Sequence, residues 1–129
     1  MHSAYFETRF TFPGGRPELP ASFAIISAFA PTGQTWNPER NAKADRALQH
    51  ELATRGALPI RVIGSSPDGG HREPSWCAQL RLEEALKVGR RFLQDAIYWV
   101  EEGMLWVTAC GVSDQRVEVE PFRDHLDGD

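Results

Sequence analysis

The sequence has little cysteine, no long apolar run and no excess of positive charge, and each absence excludes a class of protein. Its two cysteines, Cys77 and Cys110, are too few and too far apart for a structural zinc site. No apolar run approaches the roughly 18 residues that cross a bilayer, so we expect no membrane partner. The formal net charge is −4. A nucleic-acid partner is therefore not expected, because it requires a basic face.

What is present is typical of a globular protein with a genuine core. Hydrophobic residues make up 41% of the chain and charged residues 25%. The 129 residues predict one α+β domain over 1–122, followed by a polar acidic tail over 123–129. The first residues lack the basic and apolar regions of a signal peptide, so we expect a cytoplasmic protein with reduced, buried thiols.

Hydrophobic patterning predicts an alternation of strands and helices. Tyr5–Phe12 alternates as a half-buried strand does, whereas Ser22–Ala30 is apolar on both faces, as in a central strand covered on both sides. A helix is predicted from Asn37, a capping residue followed by proline, to Gly56. A second helix runs from about Leu82 to Gln94. The remaining predicted strands are Leu58–Ile63, Ser75–Leu80, Ala96–Val100 and Met104–Cys110.

This order of elements predicts a ferredoxin-like fold. The central unit is βαββαβ, with an extra N-terminal strand and a C-terminal β-hairpin strand. Its two helices are expected on one face of a mixed sheet. Within the second helix, Gly89 lowers helix stability and is expected to permit the close approach of a neighbouring element.

The segment with the most potential chemistry is the connector Gly64–Trp76, which is long for a small domain. Within it, His71 and Glu73 stand two residues apart, so in an extended chain both side chains point the same way. Such a pair can share a proton or bind a metal, and it can equally pin a loop structurally.

Three more specific interpretations of the connector each require a sequence element that is absent. The His-x-Glu of zinc deaminases requires a Pro-Cys-x-x-Cys element, which this sequence does not contain. A nucleophile at Ser75 or Cys77 has no nucleophile elbow around it. The glycines of 64–70 match neither the Walker nor the dinucleotide fingerprint, and Asp68 would repel a phosphate. We therefore assign no catalytic residue, no metal ligand and no cofactor.

Two amides complete the candidate site. Asn41 and Gln94 lie at or near the apolar faces of the two helices, where buried amides are normally hydrogen-bonded to backbone. The functional hypothesis joins them to the connector in one polar pocket at an end of the sheet, with Arg72 available to hold an anion. The candidate pocket residues are His71, Glu73, Asn41, Gln94, Arg72 and Ser75.

The order of several short motifs resembles a known family. The strand Ala24–Phe29 is followed by a helix carrying Asn41, then by Gly64, by His71–Trp76 and by Arg91–Trp99. Over Ser22–Val107 this resembles the small bacterial domain-of-unknown-function family 3293. In that family the first strand commonly runs into an Asn-Pro pair, whereas this chain has Ala30-Pro31 there. The resemblance implies a single domain and no activity.

Three functions remain open from the sequence. The first is a small ligand-binding or regulatory module with a polar pocket around His71 and Glu73. The second is an enzyme that uses the same two residues as an acid/base pair or as metal ligands. The third is a protein-interaction domain with an exposed edge strand. The partner is accordingly an unknown small molecule or protein, and a homodimer is also open.

Overall fold

The computed structural model of the chain describes residues 3–111 and 115–127, and within them it contains seven β-strands and two α-helices. The strands are β1 (Arg9–Thr11), β2 (Ser22–Ile26), β3 (Ile60–Ser65), β4 (Arg72–Ala78), β5 (Ala96–Glu101), β6 (Met104–Ala109) and β7 (Arg116–Pro121). The helices are α1 (Pro38–Thr54) and α2 (Leu82–Arg91). Short 3-10 turns at Ser3–Phe6 and Phe122–His125 flank the strands, and we call them the N-terminal and C-terminal turns. No described helix is long and apolar enough to cross a membrane.

The strands form one antiparallel sheet in the order β1-β3-β4-β2-β5-β6-β7, which curls into a half-barrel. The prediction of a ferredoxin-like α+β fold with a mixed sheet is therefore wrong. All six pairings between the described strands are antiparallel. Helix α1 returns the chain so that β3 runs parallel to β2, but β4 folds back from β3 and lies between them. The parallel strands β2 and β3 are therefore not neighbours in the sheet. The residues of these two strands do not predict that β4 lies between them.

The sheet has a hydrophobic core on each face. On one face, α1 and α2 cover the centre of the sheet with side chains such as Leu48 and Val88. On the other, the curl encloses Phe10, Phe23 and Phe122. Residues 23–28 are all buried, which confirms the prediction that the second strand is covered on both faces. The half-barrel is needed because one helical layer covers only one face.

Both ends of α1 follow local rules, whereas the C-terminal end of α2 does not. Asn37 caps α1 by accepting a hydrogen bond from the Arg40 amide at 2.8 Å, as predicted, and Gly56 follows the helix with a φ of +72°. Helix α2, however, ends at Arg91 rather than near Gln94. Leu93 adopts the left-handed conformation with a φ of +63°, and the Gln94 amide bonds to the Gly89 carbonyl. The sequence does not predict this helix end, because the left-handed position after a helix is normally occupied by glycine rather than leucine.

The C-terminal segment closes the half-barrel against its first strand. Leu126 pairs with Phe10 in a parallel bridge, and the Asp127 amide donates to the Phe10 carbonyl at 2.8 Å. The guanidinium of Arg9 donates to the Leu126 carbonyl at 3.0 Å and to the Asp127 carboxylate at 2.9 Å. Within the predicted tail, residues 124, 126 and 127 therefore contact β1, whereas 128–129 lie outside the described residues.

Replacing Arg9 should loosen this closure. Its guanidinium also donates to the Asp124 carbonyl, so Arg9→Ala leaves two carbonyls and a carboxylate without their charged donor. We expect the free energy of unfolding in urea to fall by about 2 kcal/mol. Arg123→Ala is the matched control, because Arg123 is exposed and its nearest carboxylate oxygen is 3.9 Å away. Equal urea midpoints for the two variants would contradict the assignment.

Gly89 should be intolerant of a methyl group. A Cβ built there lies 2.6 Å from the Cys110 Sγ and 2.9 Å from the Ile97 Cγ2, both buried, which confirms the predicted close approach. Gly89→Ala should lower the free energy of unfolding by about 2 kcal/mol although alanine is the better helix former. Adding Cys110→Ala should restore part of the loss. A single variant more stable than the parent protein would show that the helix moves away freely.

Candidate functional site

A cleft opens at the end of the sheet where β2 ends and β4 and β5 begin. Its volume is about 450 Å³. Its walls come from the N-terminal turn with Thr8, the loop after β2, the hairpin loop between β3 and β4, the segment between α2 and β5, and the first residues of β4 and β5. We call this space the cleft. The lining side chains used below are Tyr5, Thr8, Ser66, His71, Glu73, Gln94 and Tyr98.

A smaller hollow of about 90 Å³ continues the cleft along the inner face of the sheet towards Phe10. The two spaces share Thr8, Ser66, Glu73 and Tyr98 among their lining residues. Glu73 therefore stands where the open cleft meets the apolar interior of the half-barrel.

The structure brings together four of the six predicted pocket residues. His71, Glu73 and Gln94 line the cleft, and Ser75 lines the smaller hollow. The Ser75 hydroxyl is used locally, donating to the Glu73 carbonyl at 3.3 Å. Arg72 is exposed and lines neither space, so it does not stand where an anion in the cleft would contact it.

Asn41 stands behind the wall of the cleft. Its Oδ1 accepts from the Ala30 amide at 2.9 Å, and its Nδ2 donates to the Trp36 carbonyl at 3.4 Å. Both groups belong to the loop after β2, which forms one wall. Asn41 thus fixes the position of that loop from the first turns of α1.

The side-chain amide of Gln94 uses its donors within the protein and leaves its oxygen as an acceptor. Its Nε2 donates to the carbonyls of Phe29 and Phe92, both at 3.0 Å, and so joins the end of α2 to the segment after β2. With both donors committed, the carbonyl Oε1 is the acceptor that the side chain offers in the cleft. The left-handed turn at Leu93 comes directly before Gln94.

Glu73 is a half-buried carboxylate without a strong cationic partner. Burial raises its pKa above the ordinary value of 4.5, and the charge of His71 and a hydrogen bond from Ser27 only partly oppose this effect. Ser27 is suited to donate, because its oxygen already accepts from the Phe29 amide at 3.0 Å. None of the ion pairs formed between described residues includes Glu73.

Two tyrosines connect the N-terminal turn to the sheet beside Glu73. The Tyr98 hydroxyl lies 2.9 Å from the Tyr5 carbonyl and 2.7 Å from the Thr8 hydroxyl oxygen, within hydrogen-bonding distance of both. Burial raises the pKa of both phenols, and the negative charge of Glu73 contributes in each case. Both phenols are therefore neutral hydrogen-bonding groups at physiological pH.

The long connector is shorter than its sequence indicates, because β3 and β4 extend into it and leave a hairpin loop over 66–71. Its backbone amides are already used. The Gly70 amide donates to Asp68, the His71 amide to the Ser66 hydroxyl and the Gly69 amide to the Ser66 carbonyl. The glycines therefore form a turn, in agreement with the rejection of a phosphate loop.

The geometry also bears on nucleophilic and metal chemistry. Cys77 is buried in the inner core, and burial raises the pKa of its thiol to about 12, which leaves it inert as a nucleophile. In residues 3–111 and 115–127, no three His, Cys, Asp or Glu side chains come together as a metal site.

Sequence reasoning missed Ser27, Tyr98 and the N-terminal turn. Ser27 has the same strand parity as Phe23 and Ile25, which lie in the core enclosed by the half-barrel. The alternation of side chains along the strand could therefore have predicted which face of the sheet Ser27 occupies. Tyr98 shares parity with Val100 in the same way. No local signal places Tyr5 and Thr8 over the cleft, because their position depends on β1 pairing with β3.

Comparison with known proteins finds one family and no individual relative. Residues 26–97, more than half of the chain, match the family described as protein of unknown function (DUF3293). No curated protein and no solved structure matches the chain. The matched segment includes Asn41, His71, Glu73 and Gln94, whereas Tyr5 and the rest of the N-terminal turn lie outside it.

Because the pKa of Glu73 is raised, removing its charge should stabilise the folded protein at a pH where the carboxyl group is ionised. The folded state binds this proton more tightly than the unfolded state, so stability is lost as pH rises from 4.5 through the folded pKa. Glu73→Gln should therefore unfold at higher urea concentration than the parent protein at about pH 8, with the advantage absent at about pH 3.5. Glu83→Gln, an equal charge change at an exposed position, should show no such difference. A Glu73→Gln variant less stable than the parent protein at the higher pH would refute this view.

Proposed function

The chain belongs to the family of proteins of unknown function DUF3293, and we propose that it is a small-molecule-binding module whose ligand occupies the cleft. A regulatory role and a cytoplasmic location, both expected from the sequence, are part of the same proposal. The anchor for the ligand is the carboxylate of Glu73, with Gln94 and His71 beside it.

One observation carries the proposal: a half-buried carboxylate without an ion pair lies on the wall of a cleft that has room for a ligand. Burying a charge without a partner lowers stability, so such a group is expected where it serves a purpose other than folding. The volume of about 450 Å³ is within the usual range for small-molecule pockets. The lining comes from several segments that lie far apart in the sequence, as is common for binding sites.

The other functions have less support. Among the described contacts, His71 and Glu73 share neither a hydrogen bond nor an ion pair, so an acid/base pair is not assembled. For a protein-interaction module, an edge strand would have to accept another strand; β1 is already bridged by Leu126, which leaves β7 at the other edge. Strand β7 exposes Arg116, Glu118 and Glu120 and ends at Pro121, features that discourage edge pairing.

Filling the cleft should abolish binding without unfolding the protein. Gln34 lies exposed in the loop after β2 and lines the cleft, so Gln34→Trp places an indole at its mouth. Gln49→Trp makes the same change on the exposed face of α1. In a thermal-shift screen of metabolites, compounds that raise the Tm of the parent protein should still do so with Gln49→Trp but not with Gln34→Trp.

The same pair of variants also shows which results would contradict the proposal. Mass spectrometry of the denatured purified protein gives an independent measurement of any molecule that copurifies with it. The proposal is wrong if no metabolite raises the Tm of the parent protein. It is also wrong if bound compounds stabilise both tryptophan variants equally, because the ligand would then lie elsewhere.

A further inference from the structure

We propose that the ligand of the cleft carries a protonated nitrogen, an ammonium or guanidinium group, which donates hydrogen bonds to Glu73 and to the Oε1 of Gln94. This inference rests on the proposed function and names the chemical class that the site would select. Three observations support it: the hydrogen-bonding character of the wall, its charge and its aromatic surface.

Around Glu73 the wall of the cleft offers acceptors, because the hydroxyl protons of Thr8, Ser66 and Tyr98 are committed within the protein. The Thr8 hydroxyl donates to the Ala4 carbonyl at 3.1 Å, and the Ser66 hydroxyl donates to Asp68 at 2.6 Å. The Tyr98 hydroxyl proton is shared between two acceptors of the protein, the Thr8 hydroxyl oxygen at 2.7 Å and the Tyr5 carbonyl at 2.9 Å. The amide donors of Gln94 are likewise used. A ligand that brings its own donors therefore fits this wall better than one that brings acceptors.

The charge of the lining favours a cation. Glu73 lines both parts of the cleft, and Glu7 lines the smaller hollow. Among the described residues that line either space there is no lysine and no arginine, and His71 is the one basic side chain. Because the carboxylate of Glu73 is half-buried, its attraction for a cation is less screened than that of a surface carboxylate. An anionic ligand would have no matching guanidinium or ammonium.

The aromatic surface accommodates the remainder of such a ligand. The rings of Tyr5 and Tyr98 both line the cleft, with their centroids 5.8 Å apart. Aromatic faces attract both alkyl groups and cations. A short alkyl chain that ends in a charged nitrogen therefore fits the cleft, with the alkyl chain on the tyrosine rings and the nitrogen at Glu73.

Four probes of equal chain length separate the charge classes. Butylguanidinium, butylammonium, butyrate and butanol can each be titrated into the isotope-labelled protein, with binding followed by NMR shifts of cleft amides. We expect the two cations to bind with dissociation constants on the order of 1 mM, and butyrate and butanol to bind at least tenfold more weakly.

Two matched variants assign the effect to Glu73. Glu73→Gln keeps the shape and removes the charge, so it should weaken butylguanidinium binding about tenfold. Glu83→Gln removes the same charge from an exposed site at the start of α2, at the far end of the sheet, and should leave binding unchanged. An amide spectrum that matches the parent protein outside the cleft establishes that each variant is folded.

The outcomes distinguish this inference from the proposed function. If butyrate or butanol binds in the cleft more tightly than the cations, the cleft is a binding site but the ligand class is wrong. Cation binding that is equal in the parent protein and Glu73→Gln also overturns the inference. If none of the probes shifts cleft resonances and no metabolite raises the Tm, both proposals fail together.

Discussion

The constraint on which the rest of the structure depends is that β2 buries side chains on both of its faces. Residues 23–28 alternate between the two cores, so each face of the sheet must be covered. Helices α1 and α2 cover one face. The other is covered by the curl of the sheet itself and by Phe122 of the C-terminal turn, which packs on Phe10 and Phe23 with centroids 5.5 and 5.4 Å away. The clamp of Arg9 on the last described residues holds this arrangement closed.

The cleft follows from the same constraint. The apolar filling of the half-barrel ends before the sheet does, and the residues next along the inner face are polar: Ser27 on the segment after β2, Glu73 and Ser75 on β4. The N-terminal turn covers them incompletely, with no residue of its own buried. A carboxylate is thereby held between an apolar interior and an open space, which is a costly position in the absence of a ligand.

Local chemistry was predictable from the sequence, and long-range pairing was not. The Asn37 cap, the close approach at Gly89 and the burial of β2 each depend on a few neighbouring residues, and all three are confirmed. The placement of β4 between β2 and β3 depends on the whole sheet, and the prediction of a mixed ferredoxin-like sheet failed there. For the candidate site, strand parity put His71 and Glu73 on one side. Tyr5 enters the site through the pairing of β1, which no local pattern encodes.

Glu73 is half-buried and forms no ion pair with a described residue, and we propose that a cationic ligand supplies its partner. An NMR titration of its side-chain carboxyl carbon tests this most directly. The account predicts a pKa above the ordinary value of 4.5 in the free protein, and a fall in that pKa when butylguanidinium fills the cleft. A pKa at or below 4.5 in the free protein, unchanged by the cation, would contradict it.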